Sequence, residues 1–501
     1  MIDPQVTIVV TPRERFSYAK RSLANLYEQT TSPFKLVYVS AGTPRPLRHH
    51  LEGEAQRRGF QLIQTEHYLS PNTARNLGLR EVHTKYVVFL DNDALVTPGW
   101  LDALVQCAEE TDAWIVGPLY LIGEPERQII HMAGGTVRLE QSQGKRILYD
   151  EPYLFDMPLA ELSTPLQRQS CGYTEFHCML VRTDVFARVG PLDEELRNHH
   201  EHIDICLAVH NAGGSVFIEP QAVTSYVPPP PCEWWDLPYF MLRWSETWNQ
   251  ATVHHFNKKW GVSTVRFFTD TSPLDQEDTI VRWARGHRRL MTGLRVPLVG
   301  TDHQPKLPIE QAQLMIAMFL SVDRDCFDLT LTTAEGSTIR SELALDPPSV
   351  LERVLCMLPE ADEGNLNVMI HPRSQGQSHE PILIRIDDLD AEGLSKMRPY
   401  AFLAVETRPQ HYQCWLAVAR SNWRDTAVLR NLTTGVEAHG GTNGYTCLAG
   451  SKNIAYAYQQ ADGSFPRVKL VEGCTGMLNT VRQLEGKGVL ASFSHSHINY
   501  L

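Results

Sequence analysis

The chain has 501 residues, 43% hydrophobic and 21% charged, a balance that supports packed cores and excludes a disordered or fibrous polypeptide. Its formal net charge of -12 argues against a sequence-wide electrostatic footprint for nucleic acid, though not against a local basic patch. No apolar run approaches the roughly eighteen residues that a membrane-spanning helix needs, and the length suits on the order of two to four domains.

The chain enters a first strand at Val6-Thr7-Ile8-Val9-Val10 without a basic and apolar leader, which reads as a soluble, cytoplasmic protein. Ten cysteines are scattered without C-x-x-C pairs and read as reduced core thiols. Residues 17–27 predict an amphipathic helix, and residues 35–39 a second strand that ends in the turn-forming Ser40-Ala41-Gly42-Thr43-Pro44. A helix over 47–58, a strand over 61–64, a helix over 73–80 and a buried strand at Tyr86-Val87-Val88-Phe89-Leu90 continue the alternation. This predicts an α/β domain with a mostly parallel, Rossmann-like sheet whose ligands bind at the carboxyl ends of the strands.

Asp91-Asn92-Asp93 stands at such an end. Two carboxylates one residue apart offer hard oxygen ligands to Mg2+ or Mn2+, and through the cation to a diphosphate; taken alone, the tripeptide reads first as a turn, and only its neighbours change that.

The neighbouring residues carry a resemblance. Ile8-Val9-Val10-Thr11-Pro12-Arg13-Glu14-Arg15, Ser22-Leu23, Gln29-Thr30, Ala74-Arg75-Asn76-Leu77-Gly78-Leu79, Asp91-Asn92-Asp93 and Pro98-Gly99-Trp100-Leu101 resemble, in order and spacing, a family 2 glycosyltransferase of the GT-A fold. Met179-Leu180-Val181-Arg182, Val189-Gly190-Pro191-Leu192-Asp193-Glu194-Glu195-Leu196 and Glu201-His202-Ile203-Asp204 resemble the second half of that domain, which closes at Phe256-Asn257-Lys258-Lys259-Trp260-Gly261. The resemblance implies a hexosyl transfer, metal-dependent and inverting, from a UDP- or GDP-sugar to a carbohydrate or other hydroxyl acceptor. It implies Mn2+ or Mg2+ on Asp93 with Asp91 close by, and a nucleotide-sugar site formed by Thr11, Pro12, Arg13, Ser40, Asn72, Arg75, Asn76, Asp91 and Asn92.

An inverting transfer needs a general base for the acceptor hydroxyl. The Glu-Asp pair of the family reads here Glu201-His202, which leaves Glu201, His202 and Asp204 as candidates. The run His199-His200-Glu201-His202 also reads as a metal ligand source or a polar helix start. Two further departures concern recognition: Ser40 stands where relatives carry a nucleotide-reading Asp, and Tyr226 where they carry a metal-binding His. His177 lies where acceptors are contacted or is a satisfied polar residue. The segment Pro228-Pro229-Pro230-Pro231-Cys232-Glu233-Trp234-Trp235-Asp236 reads as a stacking loop for sugar or as aromatic packing.

Beyond this domain, assigned to 1–265, residues 266–305 read as a linker with a basic, solvated helix at Arg282-Trp283-Ala284-Arg285-Gly286-His287-Arg288-Arg289. Residues 306–501 predict an α+β domain, with strands at 327–332, 381–386 and 401–406. Asn365-Leu366-Asn367-Val368-Met369-Ile370, Ile386-Asp387-Asp388-Leu389-Asp390, Glu406-Thr407-Arg408-Pro409-Gln410-His411-Tyr412-Gln413-Cys414-Trp415 and Leu448-Ala449-Gly450-Ser451-Lys452-Asn453 resemble the catalytic domain of plasmid RepB-type primases, of the archaeo-eukaryotic primase superfamily. That resemblance implies metal-holding carboxylates at Asp388 and Asp390 and a nucleic-acid partner. Gln413 stands where a histidine is common, and the later region offers Glu437 and His439. The alternative function is therefore a nucleic-acid-binding protein or primase-type nucleotidyltransferase with an auxiliary glycosyltransferase domain, and a third class is a binding protein with two decayed centres.

Overall fold

The computed structural model describes residues 3–500 apart from 143, 268–275, 298–304, 378, 420–444 and 487–497, so Glu437 and His439 lie outside the described residues. The chain divides into two compact units, one of Met1–Arg243 with Trp248–Ala284, the other of Trp244–Thr247 with Arg285–Leu501.

In the first unit the elements run β1 (Val6–Thr11), α1 (Ala19–Gln29), β2 (Phe34–Ala41), α2 (Arg45–Arg58), β3 (Gln61–Thr65), α3 (Pro71–Leu79), β4 (Tyr86–Asp91), β5 (Ala94–Val96), α4 (Trp100–Thr111) and β6 (Ile115–Ile122). Next come β7 (Ile129–Met132), β8 (Gly135–Ser142), β9 (Lys145–Pro152), β10 (Met157–Pro158), β11 (Gln169–Cys171), β12 (Cys178–Arg182), α5 (Phe186–Val189), α6 (Glu201–Asn211), β13 (Val216–Tyr226), α7 (Leu237–Arg243), α8 (Glu246–Trp260) and β14 (Thr264–Phe267). β1 and β4 are buried at every position because both faces of the sheet are covered, which is why they read as unbroken apolar runs. α1 buries Ala19, Ser22, Leu23 and Leu26, one stripe of a 3.6-residue period. α2 ends at Gly59, whose left-handed φ of 75° lets its N–H reach the Ala55 carbonyl.

The strand order is β10-β7-β6-β12-β4-β1-β2-β3, with β13 alongside β6. β3, β2, β1 and β4 are parallel, whereas β12 runs antiparallel to both β4 and β6. The sheet is thus mixed rather than mostly parallel. Parallel neighbours require a crossover, but after β6 the chain turns through β7 and the β8–β9 hairpin and re-enters the sheet in the reverse direction. Registering Thr11 opposite Asp91 brings the carboxyl ends of β1 and β4 level, and the start of β12 arrives at the same edge with Cys178 opposite Leu90.

The second unit has the expected α+β character. It contains α9 (Gln276–Arg289) in its final turn, β15 (Arg295–Pro297), α10 (Pro308–Leu320), β16 (Cys326–Thr332), β17 (Thr338–Leu345), α11 (Pro347–Gly364), β18 (Asn367–Arg373), β19 (Ile382–Leu389), α12 (Ala391–Met397), β20 (Leu403–Arg408), β21 (His411–Val418), β22 (Thr446–Cys447), β23 (Lys469–Cys474), α13 (Val481–Gly486) and β24 (Ile498–Tyr500). Two antiparallel sheets, β15-β23-β20-β21-β19-β24 and β17-β16-β18-β22, flank α10, whose Leu314–Leu320 stretch is wholly buried. The basic run is not uniformly solvated: Arg288 is buried, donating to the Trp244 carbonyl at 3.0 Å and to Asp323 at 2.7 Å, because a lone guanidinium inside needs carboxylate and carbonyl partners.

Candidate active site

Asp91 closes β4 with no exposed surface, and two guanidinium groups and an imidazole converge on it. Arg75 Nη2 lies 3.3 Å from Oδ1, Arg13 Nη1 3.4 Å from Oδ2, and His177 Nδ1 3.0 Å from Oδ2. Burial alone would raise this carboxyl, but the His177 hydrogen bond and the charges of Arg13 and Arg75 outweigh it and hold Asp91 well below the usual carboxylate range. Asn92 locks the turn: its Oδ1 accepts from the Arg13 N–H at 3.1 Å and its Nδ2 donates to the Arg15 carbonyl at 2.8 Å.

Asp93 is the opposite case. It too is wholly buried, yet neither carboxylate oxygen has a hydrogen-bond partner among the described residues. Burial, then the nearby charges of Asp91 and Glu14, push it up to about 8. Of the two expected metal ligands, Asp91 therefore has both oxygens taken by cations, while Asp93 keeps both open. Tyr226 does not take the place of a ligand: its hydroxyl donates to Glu14 Oε2 at 2.7 Å and its ring stacks on His177 at 4.0 Å.

Arg75 is no surface residue. It is 1% exposed, spans Asn72 Oδ1 (3.1 Å), Asp91 and Glu201 Oε1 (3.7 Å), and lies 3.9 Å over the Phe176 ring. This buried strut joins two carboxylates and holds Asp91 and Glu201 in register, with its Nε without a hydrogen bond among the described residues. Asn76 is spent likewise on Leu192 N (3.0 Å), Leu192 O (2.8 Å) and Glu194 Oε1 (2.9 Å), and Asn72 Nδ2 donates to the Asp193 carbonyl. Both pin the loop before α6.

The three base candidates separate. Glu201 opens α6, is 3% exposed and keeps Oε2 without a hydrogen bond among the described residues. His202 is half-buried beside Tyr173, and burial lowers its pKa. Asp204 turns the other way, accepting from Lys259 Nζ and Trp260 Nε1, each at 2.8 Å, so it clamps α8. Asp204→Ala is expected to cost about 1–3 kcal/mol by stranding both donors, read as a lower melting temperature, with kcat of the folded enzyme little changed. His199 and His200 also face structure: His199 meets Asn249 and Trp283, and His200 packs on Phe256 at 4.9 Å.

Thr11, Pro12 and Ser40 line the ends of β1 and β2. The Thr11 and Ser40 hydroxyls are buried without hydrogen-bond partners among the described residues, and the Pro12 carbonyl accepts from Tyr239 at 3.4 Å. Tyr239, Phe16 and half-buried Tyr68 form an aromatic cluster with centroids 5.3 to 6.3 Å apart. Gly42 sits against it with φ of 63°, where a Cβ would meet Tyr68 at 2.4 Å. Gly42→Ala is expected to cost about 1–2 kcal/mol in backbone strain alone and to displace Tyr68; thermal melts and nucleotide titration read both effects. The Pro228–Asp236 loop is anchored by Arg15 on the Val227 and Pro231 carbonyls and by Asp236 on the Phe16 and Ser17 N–H groups, leaving Trp234 and Trp235 half-buried.

A strand-end carboxylate pair, a buried arginine strut and a helix-opening glutamate occur here in the order expected of a nucleotide-sugar enzyme. Residues 7–190 match glycosyl transferase family 2. The chain is 25% identical over 221 residues to the O-antigen biosynthesis protein RfbC of Myxococcus xanthus, covering 42% of this chain and 16% of that protein. It is 22% identical over 222 residues to the pre-mycofactocin glycosyltransferase of Mycobacterium tuberculosis, covering 44% of this chain and 42% of that one. The match thus spans less than half the length of either relative. Among solved structures, GalNAc-T7 with UDP, GalNAc and Mn2+ aligns with 56% of this chain and 56% of its own at 14% identity and a TM-score of 0.36. S. aureus TarS 1–349 in complex with UDP-GlcNAc aligns with 64% of this chain and 87% of its own at 12% identity and a TM-score of 0.34.

Sequence reasoning missed His131 and Glu175 in the family 2 domain. Glu175 Oε2 is 3.1 Å from both His131 Nε2 and His177 Nε2. The E-x-H spacing of Glu175 and His177 ahead of β12 was the available signal; His131, on β7, had none. In the second unit Asp388 and Asp390 have separate partners. A bulge between Ile386 and Leu389 turns Asp388 out to Arg408 (2.8 Å) and His411 (2.7 Å), and Asp390 caps α12 through the Gly393 N–H. Gln413 donates instead to Asp387, at 2.5 Å, and accepts from Trp415 and Thr446. These carboxylates are occupied by protein groups, unlike Asp93. Among the described residues no helix is long and apolar enough to cross a membrane, and the ten cysteines are free.

Proposed function

We propose that this protein is a metal-dependent, inverting glycosyltransferase of GT-A type that moves a sugar from a UDP- or GDP-sugar to an acceptor hydroxyl. The observation that carries the reading is Asp93: a wholly buried carboxylate at a strand end with both oxygens unpartnered, which only a cation or a proton relieves. Its hard oxygens suit Mn2+ or Mg2+, which when bound would neutralise the charge that grows on the departing diphosphate.

The remaining work falls to the chain's own groups. Asp91, fixed by Arg13, Arg75 and His177, is ionised and oriented to accept from ribose hydroxyls. The aromatic cluster under Thr11–Arg13 gives the nucleobase a rigid wall, and Asn92 holds that loop against β4. Glu201, with one oxygen 3.7 Å from Arg75 and the other without a hydrogen bond among the described residues, takes the proton of the attacking hydroxyl. Arg75 ties donor side to acceptor side, since one guanidinium touches both carboxylates.

A panel of UDP- and GDP-sugars incubated with the protein and Mn2+ tests the reading. Release of the nucleoside diphosphate from at least one donor, lost in Asp93→Ala, is the expected result. No release from any donor, or release indifferent to Asp93, would remove it.

A further inference from the structure

Beside the Asp93 carboxylate, the first unit holds a second group of ligating side chains, of which the proposed transfer uses only His177, and that only to fix Asp91. His131 rises from β7, Glu175 and His177 from the segment leading into β12, and one ligand atom from each lies within 4.8 Å of the others. His177 is buried, while His131 and Glu175 keep about a fifth of their side chains open at the rim, beside exposed Phe155.

The hydrogen bonding around His177 gives this cluster its direction. Nδ1 faces Asp91 at 3.0 Å and Nε2 faces Glu175 at 3.1 Å. A neutral imidazole carries one N–H, and Asp91, surrounded by Arg13 and Arg75, is an acceptor only. With Nδ1–H in the bond to Asp91, the neutral tautomer of His177 aims its Nε2 lone pair at the Glu175 carboxylate oxygen. Two acceptors face to face are stable when a cation lies between them. A carboxylate that fixes the far nitrogen of an imidazole is also the arrangement that orients metal-bound histidines. His131 repeats the pattern, with Nε2 3.1 Å from the same Glu175 oxygen and Nδ1 without a hydrogen bond among the described residues.

We propose that His131, Glu175 and His177 form a second divalent-cation site, separate from Asp93 and selective for a borderline metal of the Zn2+ type. Two imidazoles and one carboxylate favour Zn2+ over Mg2+, and three protein ligands leave a fourth position open towards the rim. The site does not depend on sugar transfer, so its failure and that of the transferase reading are told apart: one is measured by metal content, the other by donor turnover.

The test is equilibrium dialysis against Zn2+ with metal counted by mass spectrometry, and Co2+ substitution followed by its visible absorption, in the absence of nucleotide. The wild-type chain is expected to retain one Zn2+ that 1 mM Mg2+, roughly physiological, does not displace, and to give intense low-coordinate Co2+ bands. His131→Ala and Glu175→Gln should each weaken Zn2+ by at least about tenfold, while His131→Asp, which keeps a ligand, and Asp93→Asn retain it. Circular dichroism melts show that the variants are folded. The proposal is overturned if the wild type binds no Zn2+, if His131→Ala and Glu175→Gln bind it as the wild type does, or if Asp93→Asn alone removes it. The first of these results would assign the three residues to a protonated imidazole between two carboxylates.

Discussion

Asp93→Asn is expected to lower metal-dependent transfer by on the order of 10^3-fold, since a Lewis-acid cation supplies several kcal/mol of leaving-group stabilisation, and at the same time to make the metal-free protein more stable. The two effects have one cause. Both Asp93 oxygens are buried without partners, and burial with the charges of Asp91 and Glu14 pushes its pKa up to about 8 from 3.8. The folded state thus holds a proton that the unfolded chain has released. Between those two values a rise in pH favours unfolding, and the contribution to stability is fully present at low pH and lost as pH rises through about 8. The neutral amide removes this pH dependence and should gain about 1–3 kcal/mol at pH 8. Chemical denaturation at pH 5 and pH 8, with and without Mn2+, reads it; equal slopes in wild type and variant would show that Asp93 is satisfied in solution.

Glu201→Gln is the second large effect, with kcat expected to fall by about 10^2–10^4-fold while nucleotide affinity is retained. The amide keeps the shape and can still face Arg75, but it cannot accept a proton. His202→Asn should cost less than tenfold, because His202 faces Tyr173 and, among the described residues, makes no hydrogen bond to Asp91, Arg75 or Glu201. The reverse ranking, with His202→Asn the more damaging, would move the base one residue along α6. Steady-state kinetics with the donor found in the panel, accompanied by nucleotide titration of each variant, separates a lost base from a lost site.

The first unit was legible wherever the signal was local. The apolar runs of β1 and β4 and the stripe of α1 fix their own type, and the observed spans of Val6–Thr11, Ala19–Gln29 and Tyr86–Asp91 lie within a few residues of the expected ones. Strand direction was not local: the reversal of β12 is produced by β7 and the β8–β9 hairpin, whose polar and short segments carry no direction in sequence. Among the candidate site residues, motif position singled out Asp91, Asp93 and Glu201 but not how their oxygens are spent. Whether a carboxylate is saturated, as Asp91 is by two guanidinium groups and an imidazole, or open, as Asp93 is, depends on side chains from the loop after β1, α3 and the β12 approach together. Position likewise did not show that Arg75 and Asn76 are buried and partnered by protein groups, because burial turns a helix-start cation and amide into internal struts. His131 and Glu175 come from distant segments and meet only in the fold. In the second unit the α+β character followed from period-two strands, whereas the bulge that separates Asp388 from Asp390 has no signature in a run of acidic residues.

The most direct measurement is calorimetric titration of UDP and GDP into the full chain with and without Mn2+. The account predicts that Mn2+ tightens one of the two by at least about tenfold, 1.4 kcal/mol, in the wild type and leaves it unchanged in Asp93→Asn. Equal affinities with and without the metal, or a metal effect that survives in Asp93→Asn, would contradict it.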